Sequence, residues 1–273
     1  MQTRRRRKHA TMRRRCQHSA TSADAYSDRV NGLCFDDVER AVLCELLEQL
    51  GPDAPTTLAP WTTRDIAVHL YMREHDALAG PGLVLPGPWS RLAARHHRRA
   101  TRQDFSQVVA AVRSGPRGLF RLRWLRRVPN LNEMFIHHED VRRANGGGPR
   151  AFDPAMDRAL WSNVKGGAWI LTRRLRHCGL ELRNASTQET FRARRGTAPA
   201  RVAGEPGELL LYLFGRQGVA HVELDGPPSS LERVRTAKLG LCRRQRTRRH
   251  KAPGSRSARG GVTHQPGAAQ AVQ

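Results

Sequence analysis

The chain has 273 residues, enough for one large domain or two modest ones with a sizeable core. Its formal charge is +24, but 1–35 and 243–273 carry +15 of it, so the part between is mildly basic and the ends read as basic tails. No window nears 18 uninterrupted apolar residues and no apolar stretch follows the N-terminal arginines, which argues against a membrane span and a secretory signal.

The five cysteines, Cys16, Cys34, Cys44, Cys178 and Cys242, are scattered and form no CxxC. That usage is expected of reduced thiols in the cytoplasm. The first segment, 1–35, and the last, 242–273, are expected to be disordered. They would touch nucleic acid weakly and non-specifically through phosphates, with strong salt dependence. An alternative for the first is that translation starts near residue 30.

Residues 36–50, DDVERAVLCELLEQL, set Val38, Val42 and Leu46 beside Leu43, Leu47 and Leu50 in a broad helical stripe. Gly51 and Pro52 stop it. WTTRDIAVHLYMREHDAL (61–78) reads as a second helix, with Thr62 as N-cap and Asp65 three residues on, close to a capping box. Ile66, His69, Leu70 and Arg73 share a face, so His69 projects along an apolar stripe.

GPGLVLPGP (80–88) is a loop. A third helix falls within 89–114, clearest over 104–114, and GPRG breaks it at 115–118. A basic connection follows, with Pro129 suited to the first turn of a fourth helix over about 130–144. NGGGP (145–149) ends that helix. Four helices with short to medium connections suggest a bundle over 36–150.

The second half, 151–241, reads as a small α+β unit. A longer helix is expected over 154–177, a hairpin over 179–196 and a short strand over 200–206. A compact apolar helix covers 207–216, a strand 219–227, and a closing helix 228–239 is capped by Ser229 or Ser230. The fold class is therefore mainly α.

The chemistry concentrates in NEMFIHHEDVRR (132–143). Glu133 and His137 are four apart and share a helix face, flanked by Met134, Val141 and Ala144. A carboxylate aimed into a core is costly unless paired or bound to a cation. With His69 it would make a three-ligand set suited to zinc or a similar divalent ion, with a fourth position open. Spacing alone leaves a salt-bridged helix face as the alternative, and the HExxH zincin pattern is absent because Arg142 stands where its second histidine belongs.

Three segments carry a resemblance: WTTRDIAVHL (61–70), NEMFIHHEDVRRA (132–144) and GEPGELLLYLFGRQ (204–217). In this order they resemble the actinobacterial mycothiol-dependent maleylpyruvate isomerase-like proteins of the DinB/YfiT-like superfamily, and in particular their short metal-binding branch. The resemblance covers about residues 36–241. It implies a DinB-like four-helix bundle with a divalent metal, usually zinc, on His69, Glu133 and His137. It also implies a sterol-carrier-like α+β domain beside the metal cleft, and mycothiol as the thiol.

His138, Glu139 and Asp140 match the family pattern without being implied ligands. Asp140 either orients a ligand histidine or an arginine, or pairs on the helix surface with Arg142 or Arg143. Arg216 either meets an anionic substrate or serves domain packing. His75, His96 and His97 are expected at the solvent-exposed surface.

Three functions follow from this reading. The first is a thiol-dependent isomerase or transferase acting on a small molecule. The second is a metal-binding protein without turnover, favoured by a C-terminal part smaller than the isomerase's and by the lack of a general base beyond the ligands. The third is nucleic-acid binding through the basic tails, for which no DNA-reading motif exists.

Overall fold

In the computed structural model the described residues are 35–75, 95–116 and 123–241. The predicted loop at 80–88, most of the basic connection before Arg123 and both tails lie outside them.

The first two helices follow the sequence pattern. Helix α1 is Phe35–Leu50 and α2 is Thr63–His75. The Asp65 carboxylate accepts from the Thr62 backbone N–H at 3.0 Å, the reaching-back half of a capping box. The third departs from expectation. Residues 95–100 are helical, the chain breaks over 101–104, and α3 is Phe105–Arg113. The cause is Asp104, whose side chain accepts from the Gln107 N–H and starts a new helix.

Helix α4, Arg123–Ala144, begins earlier than expected, so Pro129 lies inside it and not in its first turn. Pro129 removes one backbone donor, and the helix continues through that missing rung. It stops where predicted. Gly146 takes φ 85, and the Gly147 N–H donates to the Arg142 carbonyl at 2.8 Å, which closes a Schellman motif.

The C-terminal half is mixed. Helix α5, Pro154–Leu171, is capped by Asp153. It ends short of the predicted 177 because Thr172 turns back on it, its hydroxyl donating to the Ala168 carbonyl at 2.7 Å. Strands β1 (Leu180–Asn184), β2 (Thr190–Arg194), β3 (Ala200–Gly204) and β4 (Glu223–Asp225) form a sheet in the order β2-β1-β3-β4. β1 pairs antiparallel with β2 and parallel with β3, and β4 is antiparallel to β3.

Helix α6, Pro206–Leu213, lies between β3 and β4 in sequence and is shorter than predicted. β4 keeps only three residues of the expected strand. Helix α7, Pro228–Thr236, has Pro227 as N-cap, with no side-chain cap. Ser230, expected as a cap, instead donates to the Ala198 carbonyl at 2.8 Å.

Two apolar clusters sit on either side of α4. One joins Leu43 and Leu47 of α1, Ile66 and Leu70 of α2 and Val108 of α3 to Met134 and Val141. The other joins α5, the sheet and α6 to Leu131, Phe135 and Ile136. A helix packed on both sides buries its polar residues too, so His138, Glu139 and Asp140 are each at most 2% exposed. Each then needs a partner.

Candidate metal centre

His69 comes from α2, and Glu133 and His137 come from adjacent turns of α4. The structure brings the three together, with one ligand atom from each lying within 4.8 Å of the others. Glu133 Oε2 is 3.5 Å from His69 Nε2 and 3.5 Å from His137 Nε2. The two imidazoles meet edge to face, centroids 4.9 Å apart, and Trp61 lies 5.5 Å from His69. The His69 and Glu133 side chains keep 17% and 26% exposure, so solvent reaches the group.

These separations are longer than those of the neighbouring histidine–carboxylate pairs. Elsewhere in the same helix His138 and Glu39 close to 2.8 Å, and His137 and Asp140 to 3.0 Å, both within hydrogen-bond range. The Glu133 contacts, at 3.5 Å, lie at the long end of that range. Two atoms each about 2.0–2.1 Å from a tetrahedral ion stand roughly 3.4 Å apart. The 3.5 Å spacing therefore fits a small divalent cation between the three atoms.

The tautomer fits as well. Asp140 can only accept, so His137 carries its proton on Nδ1 and turns Nε2 toward Glu133. A lone pair facing a carboxylate is repulsive unless a proton or a metal ion lies between them. Burial lowers the affinity of His137 for a second proton, but Asp140 and Glu133 outweigh it and raise its pKa. Burial pushes His69 the other way, toward the neutral base, against the pull of Glu133. Burial also opposes ionisation of Glu133, yet the His137 and His69 imidazoles hold its carboxyl well below the ordinary range. Two imidazoles and one carboxylate form a donor set that could hold a divalent cation, and without one a proton on His137 Nε2 satisfies Glu133.

Asp140 is held in turn. It is fully buried and accepts from Arg216 through Nε at 3.0 Å and Nη2 at 2.6 Å, and from the Thr57 hydroxyl. Burial raises its pKa, but the Arg216 guanidinium and His137 dominate and hold the carboxyl well below its usual range. Of the two readings for Asp140, the structure shows the orienting one; Arg142 and Arg143 pair with Glu139 instead. Arg216 also donates to the Phe214 carbonyl at 2.9 Å, so it reaches the triad through Asp140.

A second buried network lies behind the site. His138 Nδ1 faces Glu39 on α1. Arg150 donates to both Glu39 and Glu139, and Arg143 joins Glu139 to Glu208 of α6. Sequence reading passed over Glu39, Arg150 and Glu208. The available signal was that Glu39 stands one turn before Leu43 and two before Leu47 on the buried stripe of α1.

His75, His96 and His97 are not exposed as expected. His75 is half-buried and stacks on Tyr71, ring centroids 5.3 Å apart. His96 and His97 are half-buried, with His97 Nε2 3.9 Å from Asp65.

No protein-family model matches the chain, and no curated protein matches it. Among solved structures it is similar to the mycothiol-dependent maleylpyruvate isomerase, at 14% identity and a TM-score of 0.48, over 73% of this chain and 92% of that one. It is similar also to a histidine-to-alanine mutant of that enzyme, at 14% identity and a TM-score of 0.47, over 74% and 96% of the two chains.

Proposed function

We propose that this chain binds one divalent ion, zinc, through His69, Glu133 and His137, and that it is a thiol-dependent isomerase or transferase using mycothiol. The observation that supports the metal is the pair of 3.5 Å contacts from one Glu133 oxygen to two imidazole nitrogens. The thiol reading rests on the motif resemblance in 61–70, 132–144 and 204–217. In this reading the bundle at 36–150 is DinB-like and carries the site, and the sterol-carrier-like part at 151–241 partly covers it.

Three protein ligands leave a position for an exogenous group, and a bound divalent ion lowers the pKa of a thiol or water placed there. The chain's own residues hold the donors still. Arg216 and Thr57 fix Asp140, and Asp140 keeps the His137 proton on Nδ1. Trp61 forms an apolar wall beside His69. We place the protein in the cytoplasm, in keeping with Cys44 and Cys178, which are free and buried. No helix among the described residues is long and apolar enough to cross a membrane.

The test is thiol transfer or isomerisation on a panel of electrophiles that includes maleylpyruvate, with mycothiol as cosubstrate, before and after chelation. Turnover that disappears with the metal and returns on reconstitution supports the enzyme. A blank across the panel at full metal occupancy assigns the protein a binding role without turnover.

A further inference from the structure

A cavity of about 690 Å³ opens where the end of α5 meets edge strand β2, and it shares no residue with the triad. Its lining includes Trp169, Arg176, Arg192, Arg194 and Arg195, and contains no aspartate or glutamate. Trp169 is 68% exposed, high for so large a ring. Arg194 is fixed on the cavity wall by donating to the Thr172 carbonyl at 2.9 Å. Among the described residues, Arg176, Arg192 and Arg195 are exposed and carry no side-chain hydrogen bond or ion pair.

Exposed unpaired arginines occur elsewhere in the described residues too, Arg158 among them, but this group gathers around one cavity beside Trp169, and most paired arginines lie inside the fold. Arg40 pairs with Glu74, Arg113 with Glu48, Arg150 with Glu39, and Arg216 with Asp140. Like charges gathered without a counterion repel one another, and an external anion relieves that repulsion. Guanidinium forks match phosphate oxygens, and an exposed indole beside them offers a stacking face for a planar ring. The cavity lies in the size range of small-molecule sites, and Leu175 and Ala193 supply apolar floor.

We propose that this cavity binds a nucleotide unit, with its phosphate on Arg176, Arg192 and Arg195 and its base stacked on Trp169. The unit comes either from a free mononucleotide or from single-stranded nucleic acid. An acidic peptide would satisfy the arginines but not the exposed indole, so the ring and the charge together favour the nucleotide.

The experiment uses the full chain and a fluorescein-labelled oligothymidylate followed by anisotropy, with thymidine monophosphate and polyglutamate as competitors. The variants are Trp169→Ala, Trp169→Phe and the combined Arg176→Gln/Arg192→Gln/Arg195→Gln, each checked by circular dichroism. The basic tails add phosphate binding common to all variants, so Trp169 is the discriminating position. Trp169→Ala weakens oligothymidylate binding about fivefold or more. Trp169→Phe restores most of the affinity, and the triple variant weakens binding further. Monophosphate competition that depends on Trp169 identifies the free nucleotide as a ligand; weakening seen with the oligomer alone identifies the strand. Unchanged oligothymidylate affinity in Trp169→Ala, or polyglutamate binding that weakens in that variant as much as oligothymidylate binding does, overturns the proposal.

Discussion

Asp140 stands between Arg216 and His137, and its geometry decides how well His137 presents Nε2. Asp140→Asn should keep the fold and lower metal affinity about 10- to 100-fold. Competition with a chromogenic chelator reads this directly, and unchanged affinity would show that something else orients His137. Glu39 makes a separate prediction. Burial raises its pKa, but Arg150 and His138 overcome that and lower it from 4.5 to about 2. The stabilisation is therefore complete above about pH 4.5 and is lost as pH falls toward 2. Glu39→Gln should flatten the acid limb of a stability–pH curve measured by urea unfolding. An unchanged acid limb would show that Glu39 does not carry it.

At this scale the cluster of His69, Glu133 and His137 was legible in the sequence and its supports were not. Four-residue spacing put Glu133 and His137 on one face and periodicity put His69 on an apolar stripe, but it was the motif resemblance, not spacing, that singled the three out as a set. Arg216 meets Asp140 across 76 residues and Arg150 meets Glu39 across 111, separations that no local pattern encodes.

Helix α4 is the element on which the site depends, and its end is set by backbone geometry. Gly146 takes φ 85 with open space where a Cβ would stand, so a side chain there meets conformational cost and no clash. Gly146→Ala should destabilise by about 1–2 kcal/mol. Gly148→Ala, also in open space but without positive φ, should be close to neutral. Equal thermal shifts in the two variants would contradict this account of the stop. Periodicity and punctuation located α1, α2 and the hairpin strands within a few residues, because those signals are local. The end of α5 and the shortness of β4 were hidden. Thr172 receives Arg194 from β2 on its carbonyl, and β4 is defined by pairing with β3.

At the scale of the whole molecule, one helix lies between two apolar clusters and carries a polar cluster into the interior. Phe135 is 1% exposed and packs on the C-terminal side, while Met134, fully buried, packs on the other. Phe135→Ala should cost about 3–5 kcal/mol. A cost below about 1 kcal/mol by denaturant unfolding would show that the C-terminal packing does not hold α4 in place.

Charge belongs to this scale too, because 1–35 and 243–273 hold most of the excess. Removing both should make the salt dependence of polyanion binding shallower and leave metal content intact. An unchanged salt slope would place the charge-driven affinity on residues 36–242.

The central claim is that His69, Glu133 and His137 hold a metal ion. Elemental analysis of the purified wild type beside Glu133→Ala/His137→Ala tests it most directly. The account predicts roughly one divalent ion per chain in the wild type, as expected of a single three-ligand site, and loss of that ion in a double variant that remains folded. Wild-type protein that takes up no metal on reconstitution with several divalent ions, or a double variant that retains full occupancy, would contradict it.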